Sequence, residues 1–442
     1  MPRIAMVVLS GYPSDPRVRR EAEALAEIGI EVDVYCTRHP GEQKVEHLGA
    51  ITAYRLIDHR RNKESMSRYI RWSLAFMGAV MPVLLARTLR RRYRCIQVHN
   101  LPDYLVFAAL PQKLLGIPVI LDLHDLSVEL YSVKWNGNGA SRLKKTVELA
   151  ERYACRFANA VITTSDGFRE RLVSRGVPTD KITLVLNTAD NRIFKFRKRR
   201  FYRLRKSLRI LYHGTVADRF GIETVIRAVD LLKQRIPGIR FTIHGNYDPS
   251  CRERLETLVR ELRLRTYVSF GDYLPLERIR EIIVASDVGV VPYESDPFMH
   301  LALSTKTFEY VAMGLPVVAS RLDSLERIFD DHCVKYVRPG DPGALAEALV
   351  DLCHNPARRR NLVECAAGAY HPLGWNTMSA RYRNLVLNLM GNGTHERELD
   401  TSLHDSRGAG HVRAIPGRRG LGVAPEIPEP GRPCRSRESY VR

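Results

Sequence analysis

Lys306 and Glu309 stand three positions apart at the start of an apolar stretch, "LSTKTFEYVAMGLPVVAS", residues 303–320. Ser304 is a favourable helix N-cap and Gly314 a favourable residue just past a helix end, so the pattern predicts a helix whose first turn holds Lys306. A cation there faces the positive end of the helix dipole, which is unfavourable by about 0.3–1 kcal/mol. A phosphate bound between the lysine and the helix amides would offset this cost. The stretch therefore predicts a phosphate site.

The same stretch predicts which helix faces are buried. Its apolar residues recur at the helical spacing i, i+3, i+4 and i+7, which predicts one face in the core. These apolar positions are Phe308, Val311, Ala312 and Leu315. Lys306 and Glu309 fall on another face, so the alternative is that they form a surface pair worth roughly 0.2–0.5 kcal/mol.

Three predicted strands in the second half of the chain end in glycine, where a ligand could approach the backbone closely. These glycines are Gly214, Gly245 and Gly271. Arg219 lies in the loop after the first of them, and together with Lys306 it could hold a diphosphate. Glu309, one turn into the helix, would accept hydrogen bonds from ribose hydroxyls. Thr215 and Thr305 are expected to contact the same ligand.

The first half of the chain offers candidates after two predicted strands. Gly11 follows the first strand, and Pro16 suits the first position of a helix capped by Asp15. Peptide N–H groups would then face a cleft. His124 and Asp125 follow a later strand, where His124 could hydrogen-bond a sugar hydroxyl or a phosphate. A structural role for this histidine is the alternative.

These candidates need a scaffold that places strand ends side by side. Short apolar runs alternate with helical segments, which is typical of βαβ units and a parallel sheet. Strands are predicted at 4–9, 32–36, 96–98, 119–123, 160–163 and 183–186, and again at 210–213, 241–244, 268–270, 288–291, 316–319 and 334–337. The predicted fold class is α/β, with two doubly wound parallel-sheet (Rossmann-like) domains facing a cleft beyond the carboxyl ends of the strands.

Composition divides the chain into regions. A basic connector, "KFRKRRFYRLRKSLR", residues 195–209, separates the two sets of strands. We therefore expect a first domain over residues 1–190 and a second over residues 205–373. The segment 391–442 holds 13 Gly and Pro, no Phe or Trp and no periodicity, so a disordered tail is expected there.

The net charge of +20 predicts an anionic partner, for which nucleic acid, anionic lipid and phosphorylated small molecules all qualify. No RRM, KH or helix-turn-helix signature appears, and no aromatic residues interleave with the basic runs, so nucleic acid is not the expected partner. The eight cysteines are scattered without a CxxC pair, which disfavours a zinc site and favours reduced cytoplasmic thiols. The N-terminal apolar run is too short for a secretory signal.

One segment departs from the alternating pattern. "WSLAFMGAVMPVLLA", residues 72–86, is almost wholly apolar and is flanked by arginines between 68 and 94. At 15 residues, with Pro82 inside, it is too short to span a bilayer. An apolar helix beside a basic run can dock on an anionic membrane surface. A buried helix of the first domain with an exposed arginine-rich end is the equally weighted alternative.

The order of several motifs resembles the retaining, two-domain (GT-B) glycosyltransferases of family 4, over roughly residues 3–390. The motifs are "SDPRVRREAEALAEIG", "VHNLPDYLVFAALPQKLLGIPVILDLHDLSVELY", "ANAVITTSDGFRERLVSRGVPTDKITLVLN", "LYHGTVADRFGIETVIRAV" and "FEYVAMGLPVVAS". The resemblance implies that the second domain holds a UDP-sugar or GDP-sugar and the first domain an acceptor. It also implies that the last helix, about 374–390, crosses back onto the first domain.

The resemblance implies roles for individual residues. Glu309 matches the second glutamate of the family's paired motif, which contacts the donor ribose, while Leu301 stands where the first glutamate is usual. Gly11 matches a glycine near the diphosphate, and His124 a histidine near the transferred sugar. The catalytic set would then be His124, Lys306 and Arg219, and the donor-binding set Gly11, Gly214, Thr215, Gly245, Thr305 and Glu309. Asp15, Asn100 and Asp125 are expected on the acceptor side.

The expected reaction moves a sugar to a hydroxyl group with retention, by internal attack in which the leaving phosphate acts as base. Cations and helix amides would stabilise the leaving diphosphate, so no metal is expected. The loop Arg and Lys usual in the family are absent, since Thr215 and Phe220 occupy those places, and Arg219 is the remaining cation. The expected acceptor is a lipid-linked or other glycan of bacterial surface polysaccharide assembly. The expected location is the cytoplasm, peripherally on the inner face of the cell membrane.

Two other functions stay open on the sequence alone. The replacement of the first glutamate by Leu301 and of the loop arginine by Thr215 allows a catalytically inactive, nucleotide-binding scaffold on the same fold. A nucleic-acid-binding protein is the less favoured alternative, since it is supported only by the net charge.

Overall fold

The computed structural model describes residues 1–59, 65–134, 140–197, 199, 201 and 207–391. The disordered tail predicted for residues 391–442 lies outside this range except for its first residue, and so does part of the basic connector.

The first sheet has eight strands among the described residues, in the order β3-β4-β2-β1-β5-β6-β7-β8. They are β1 Arg3–Gly11, β2 Glu31–Arg38, β3 Val45–Leu48, β4 Ile51–Asp58, β5 Cys95–His99, β6 Val119–Leu123, β7 Ala160–Thr163 and β8 Ile182–Leu184. Neighbouring strands are parallel except for β3, which pairs antiparallel with β4. The central strand β1 places Ile4 between Val32 of β2 and Cys95 of β5.

The second sheet has six parallel strands in the order β11-β10-β9-β12-β13-β14. They are β9 Ser207–His213, β10 Gly238–His244, β11 Val268–Gly271, β12 Val288–Val291, β13 Val317–Ser320 and β14 Lys335–Val337. This is the doubly wound order, and the predicted α/β class with two parallel-sheet domains is confirmed.

The strand order reverses between β1 and β5 in the first sheet and between β9 and β12 in the second. At such a reversal the loops leave on opposite sides and open a crevice at the carboxyl ends of the strands. Gly11 ends β1 and Asn100 follows β5, and His213 ends β9 with Gly214 next in the chain. Several predicted site residues therefore lie at the two places where this topology opens a binding crevice.

Helices cover both sheets. They are α1 Pro16–Ala26, α2 Met66–Arg91, α3 Leu110–Leu114, α4 Ser127–Lys134, α5 Ala140–Phe157, α6 Asp166–Ser174, α7 Ile222–Leu232, α8 Pro249–Glu261, α9 Leu276–Ala285, α10 Thr305–Ala312, α11 Asp323–Glu326, α12 Pro342–His354, α13 Pro356–Tyr370 and α14 Trp375–Leu389. Short 3₁₀ helices occur at Asp103–Ala109, Thr179–Lys181, Asp218–Phe220 and His371–Leu373. Gly314, just past α10, has a φ of 65°, which glycine adopts without strain.

The last described helix, α14, packs on the first domain. Met378, Tyr382 and Val386 are fully buried in a core cluster that also holds residues of β1 and β2. The guanidinium of Arg94 donates to the Met390 carbonyl at 3.2 Å, at the far end of the helix. The chain therefore returns to the first domain after completing the second.

Helix α2 is longer than the sequence indicated. The predicted 15-residue segment is the middle of a 26-residue helix, which is long and apolar enough to cross a membrane by length and composition alone. A stripe at every fourth position is nevertheless buried in the first domain: Trp72, Phe76, Val80, Leu84 and Thr88. The prediction of a segment too short to span was wrong, because polar residues at both ends extend the helix.

The hairpin of β3 and β4 was not predicted from the sequence. Its strands lack a continuous apolar run, because β3 is mostly exposed and β4 carries buried Thr52 and Arg55. The Arg55 guanidinium donates to the carbonyl oxygens of Tyr12 and Gln43, at 2.8 and 3.0 Å, and to the Glu46 carboxylate. These bonds satisfy the buried charge of Arg55. A charged residue disfavours a strand when only strand propensity is considered.

The cysteines differ in one respect from the expected reduced thiols. Cys333 and Cys365 form a disulfide that joins the turn before β14 to α13. Their Cα atoms lie 4.8 Å apart because these two segments pack together, which the sequence spacing of 32 residues does not reveal. The other cysteines of the described residues are buried.

The packing of α2 predicts different costs for the same truncation on its two faces. Leu84 is fully buried and Leu89 is 67% exposed. Leu84→Ala should lower the free energy of unfolding by about 2–5 kcal/mol, whereas Leu89→Ala should change it by less than about 0.5 kcal/mol. Urea denaturation followed by tryptophan fluorescence measures both. Equal effects would contradict the packing of this helix on the core.

Candidate functional site

A cavity of about 320 Å³ lies between the two domains. The first domain contributes the start of α1 and His124, the second contributes Thr305 and Glu309 of α10, and the chain between the sheets closes one side. The full lining is Pro13, Ser14, Asp15, Pro16, Arg17, Arg19, Arg20, His124, Asn187, Thr188, Asp190, Ile193, Phe194, Tyr273, Pro275, Leu276, Glu277, Thr305 and Glu309. Four predicted site residues, Asp15, His124, Thr305 and Glu309, therefore share one cavity.

The start of α1 brings positive charge to this cavity. Asp15 caps the helix by accepting from the backbone N–H groups of Arg17 and Val18, at 3.1 and 3.2 Å. Arg17 and Arg20 are 5% and 6% exposed, and both line the cavity. The Arg20 guanidinium donates to the Thr188 carbonyl and the Asn187 side chain and lies 4.9 Å from the ring centroid of Trp375. Asp15, predicted on the acceptor side, thus has a role as the helix cap.

His124 reaches the cavity from the end of β6. Its Nδ1 lies 3.7 Å from the Asp122 carboxylate, which leaves Nε2 as the ring nitrogen available to the cavity. Burial alone would lower the pKa of His124, but the carboxylates of Asp122 and Asp125 outweigh it and raise that pKa to about 9. His124 is therefore a cation at neutral pH.

Asn100 fixes the loop that carries His124. Its amide nitrogen donates to Asp103 at 3.0 Å and to the Asp125 carbonyl at 2.5 Å, while its side-chain oxygen accepts from the His124 backbone N–H at 3.2 Å. Asn100 is 3% exposed. Asn100 and Asp125 lie beside the cavity rather than in its lining, and the geometry shows them supporting His124.

Lys306 lies in a cage of three aromatic rings. Its Nζ is 5.2, 5.2 and 5.4 Å from the ring centroids of Tyr212, Phe220 and Tyr293, and it donates to the Tyr293 hydroxyl at 3.0 Å. The residue is only 8% exposed. The ring faces attract a cation, so the unfavourable placement at the start of α10 has a partner other than phosphate. The surface-pair alternative for Lys306 and Glu309 is excluded, because both residues are buried.

Glu309 lines the cavity with a carboxylate that lacks a full set of partners. It is 9% exposed, and its Oε2 has no hydrogen-bond partner among the described residues. Burial raises the pKa of Glu309 to about 7, although Lys306 and Arg20 oppose the shift. His213 Nε2 lies 3.1 Å away, and burial, Lys306 and His244 lower the pKa of His213 to about 3, so this neighbour is neutral. This oxygen, Oε2, is buried beside His213, and Glu309 contributes its carboxylate to the cavity wall.

The predicted glycines allow close contacts within the protein. A Cβ at Gly214 would lie 2.5 Å from Lys306 Cε, and a Cβ at Gly245 would lie 1.6 Å from the Gly214 carbonyl oxygen. A Cβ at Gly11 would lie 2.3 Å from His39 Nε2. These positions therefore need glycine for packing, and the approach of a ligand to them stays a prediction.

Lys306, Arg219 and Thr215 lie outside the cavity lining. The Arg219 guanidinium donates to the Asp296 carboxylate at 2.9 Å and lies 4.8 Å from the ring centroid of Phe298. Thr215 is exposed, and its carbonyl accepts from the Tyr212 hydroxyl at 2.6 Å. The ion pair with Asp296 means that a diphosphate held by Arg219 and Lys306 would have to share the arginine with this carboxylate.

Two groups of side chains among the described residues have the spacing of metal ligands: His99, Asp122 and His124, and Asp330, Cys333 and Cys365. In the first group the Asp122 carboxylate already accepts two bonds from Arg17, both at 2.8 Å. This carboxylate is therefore already paired with a buried guanidinium. In the second group the two thiols form the disulfide.

Sequence reasoning missed Arg17, Arg20 and Asp122. The run "DPRVRR" carried a signal, because three arginines follow a helix cap, where cations are unfavourable. The residues that complete these contacts, Thr188 and Trp375, are far along the chain, so only the folded structure shows them together.

Two family models match the chain in succession. The Glycosyl transferase 4-like domain matches residues 14–188, and the Glycosyl transferases group 1 domain matches residues 207–355. Together they span most of the chain, and each falls on one of the two sheets.

Individual glycosyltransferases resemble the chain at 21–25% identity. A D-inositol 3-phosphate glycosyltransferase of Pseudarthrobacter chlorophenolicus is 24% identical over 372 residues, 82% of this chain and 87% of that protein. The alpha-D-kanosaminyltransferase of Streptomyces kanamyceticus is 25% identical over 66% of this chain and 76% of its own length. Sucrose-phosphate synthase from Thermosynechococcus elongatus has the same fold, with a TM-score of 0.68, 21% identity and coverage of 91% of this chain and 100% of that one.

The contact between Gly214 and Lys306 predicts a selective effect. Gly214→Ala places a methyl group where the Lys306 side chain passes, at a φ of 109° that alanine rarely adopts, so the lysine must move. We expect binding of UDP or GDP to weaken by at least about tenfold, measured by titration calorimetry. Gly368→Ala in α13 is the control, since an added Cβ there meets nothing within 4 Å. Unchanged affinity in Gly214→Ala would separate Lys306 from nucleotide binding.

Proposed function

Because the chain belongs to the family 4 glycosyltransferases and has their GT-B fold, we propose that it is a retaining transferase that moves a sugar from a nucleoside-diphosphate sugar to an acceptor hydroxyl. The main support for this proposal is the cavity between the domains. Its lining contains the Glu309 carboxylate, which can accept hydrogen bonds from ligand hydroxyls, and several basic side chains. Its volume is at the lower end of the roughly 300–1,000 Å³ usual for ligand sites.

The charges around the cavity suit the loss of a nucleoside diphosphate. Negative charge develops on the leaving phosphate as the sugar bond breaks, and fixed cations stabilise that state. His124 faces the cavity from the first domain, and Lys306 lies beside Gly214 at the start of α10 in the second. We propose that these two residues bind the leaving phosphate. Arg219 would be a third if its pairing with Asp296 loosens on binding. With these cations present, the reaction would need no divalent metal.

The solved relatives support a nucleotide donor. The Anabaena protein Alr3699/HepE, with a TM-score of 0.66 and 14% identity over 87% of this chain, was solved with UDP and glucose. The trehalose-6-phosphate protein of E. coli, at 13% identity and a TM-score of 0.65, was solved with UDP-2-fluoro glucose. In this chain Glu309 would accept from the donor ribose, and Thr305 lies in the same cavity.

We propose a lipid-linked acceptor at the cytoplasmic face of a membrane, within surface polysaccharide assembly. The outer face of α2 exposes Ile70, Leu74 and Leu89, at 37%, 46% and 67%. Next to it α3 and the residue after it expose Leu110, Leu114 and Leu115. Exposed arginines flank this apolar surface: Arg68, Arg71, Arg90, Arg91, Arg92 and Arg94. An apolar helix face with cations at its ends has the chemistry of an anionic membrane-docking surface.

A panel of UDP, GDP and ADP with purified protein tests the donor. We expect one nucleotide to raise the unfolding temperature, since a ligand at a hundred times its Kd stabilises the fold by about 2.7 kcal/mol. Lys306→Ala should weaken that nucleotide by at least about tenfold, and Lys335→Ala, which removes a surface pair with Asp351, should leave it unchanged.

Each outcome of the panel has a meaning. If a nucleotide sugar releases its nucleotide when an acceptor is added, the result supports the transferase. Nucleotide binding without release from any conjugate supports the inactive-scaffold alternative. No binding of any of the three nucleotides contradicts the proposal.

Vesicle flotation tests the membrane surface. Protein should float with vesicles that contain phosphatidylglycerol and not with pure phosphatidylcholine, and high salt should release it, because the Debye length falls to about 3 Å at 1 M. Leu74→Glu with Leu89→Glu should abolish flotation, whereas Leu231→Glu, an equally exposed leucine on α7, should not. Flotation that resists both salt and the double substitution would contradict a peripheral surface.

A further inference from the structure

A continuous chain of buried polar contacts runs from α14 to the cavity. The Tyr382 hydroxyl on α14 donates to the Gln97 oxygen at 2.5 Å, and the Gln97 amide donates to Glu21 at 2.6 Å. Arg17 then lies 3.1 Å from the other Glu21 oxygen and forms the bidentate pair with Asp122. Every side chain of this chain of contacts is buried.

Asp122 is the residue of this chain of contacts that lies next to the candidate site. Its Oδ2 accepts from His99 Nδ1 at 2.8 Å and lies 3.7 Å from His124 Nδ1. Burial opposes the charge on Asp122, but Arg17 and the two histidines outweigh it and hold the pKa of Asp122 well below its usual range. Asp122 is thus a permanent anion behind His124.

We propose that Asp122 is a positioning residue for the transfer reaction: its carboxylate lies on the Nδ1 side of the His124 ring and turns Nε2 toward the cavity, and Arg17 holds Asp122 in place. The inference rests on the proposed function for its consequence in donor binding, but the state of His124 can be measured without it. A histidine held in one orientation and one charge state can donate to a leaving phosphate throughout the reaction.

The groups around His124 favour this assignment. Asp122 lies behind the ring on the same strand, Asp125 follows in the same loop, and Asp103 of the 3₁₀ helix also acts on it. Arg17 of α1 opposes the positive charge on His124, and His99 of β5 contacts the same Asp122 carboxylate. Across the cavity lie Glu309 and Glu277 of the second domain. The Asp122 carboxylate lies within ion-pair distance of the ring, at 3.7 Å from Nδ1.

The chain of contacts also gives α14 a connection to the reaction. Arg17 is held by Glu21 as well as by the Val185 carbonyl, at 3.2 Å, and Glu21 is held by Gln97, which accepts from Tyr382. The helix that returns from the second domain therefore supports, through two side chains, the pair that orients His124.

Asp122→Asn tests the proposal through pH. In the variant, Asp125 still opposes the effect of burial, so the pKa of His124 should return to about its ordinary value of 6.5 and the ring should be neutral at about pH 8. The ligand is UDP or GDP, whichever binds in the nucleotide panel. At about pH 8 the variant should bind it at least about tenfold more weakly than wild type. At about pH 6 the affinities of the two proteins should agree within about threefold. Comparing the two proteins at each pH cancels the titration of Glu309.

The control removes a similar carboxylate elsewhere. Asp33 on β2 is fully buried and pairs with Arg3 at 2.8 Å and with the Tyr93 hydroxyl at 2.5 Å. Asp33→Asn should destabilise the fold in the same way but leave the affinity ratio to wild type equal at both pH values. An equal ratio for Asp122→Asn at both pH values would overturn the proposal.

A second measurement needs no destabilising change. NMR titration of the wild-type imidazoles, with the His124 signal assigned by its loss in His124→Gln, should give a pKa of about 9. A value at or below the ordinary pKa of about 6.5 would overturn the proposal even if nucleotides bind. If no nucleotide binds wild type, the proposed function fails, and this titration still decides whether Asp122 keeps His124 charged.

Discussion

The bidentate ion pair between Arg17 and Asp122 joins the fold to the candidate site. Arg17 belongs to the first turn of α1 and Asp122 to β6, and both are buried at the carboxyl ends of the first sheet. A buried pair of this kind adds little net stability by itself, but losing one partner leaves an uncompensated charge, at a cost of about 3–5 kcal/mol. The pair therefore fixes geometry, and the cavity wall and the orientation proposed for His124 depend on it.

The two domains contribute to the site in different ways. The first domain supplies charge through arginines and a histidine that backbone carbonyls and carboxylates hold rigidly. The second supplies Lys306 within aromatic rings and the Glu309 carboxylate beside His213. Leu301, where the family has its first glutamate, instead contacts the first domain: its carbonyl accepts from the Ser165 hydroxyl at 2.7 Å, and its side chain packs against Gly167. In this chain that position joins the domains.

Sequence reasoning predicted the elements whose pattern is local. The buried parallel strands are continuous apolar runs, and β6, β7 and β12 have the bounds predicted for them. Arg55 interrupts β4 with a charge whose partners lie on other segments, so that strand was missed. The bounds of α10 followed from Ser304 and Gly314, but the cage around Lys306 did not, because Tyr212, Phe220 and Tyr293 come together only when β9 and β12 pair.

A crystal structure of the protein with its bound nucleoside diphosphate tests the central claim most directly. We expect the diphosphate in the cavity between the domains, within hydrogen-bond distance of His124 Nε2 and of Lys306 Nζ, with a ribose hydroxyl on Glu309. A nucleotide bound outside this cavity, with Lys306 still enclosed by its three rings and His124 without contact to phosphate, would contradict it.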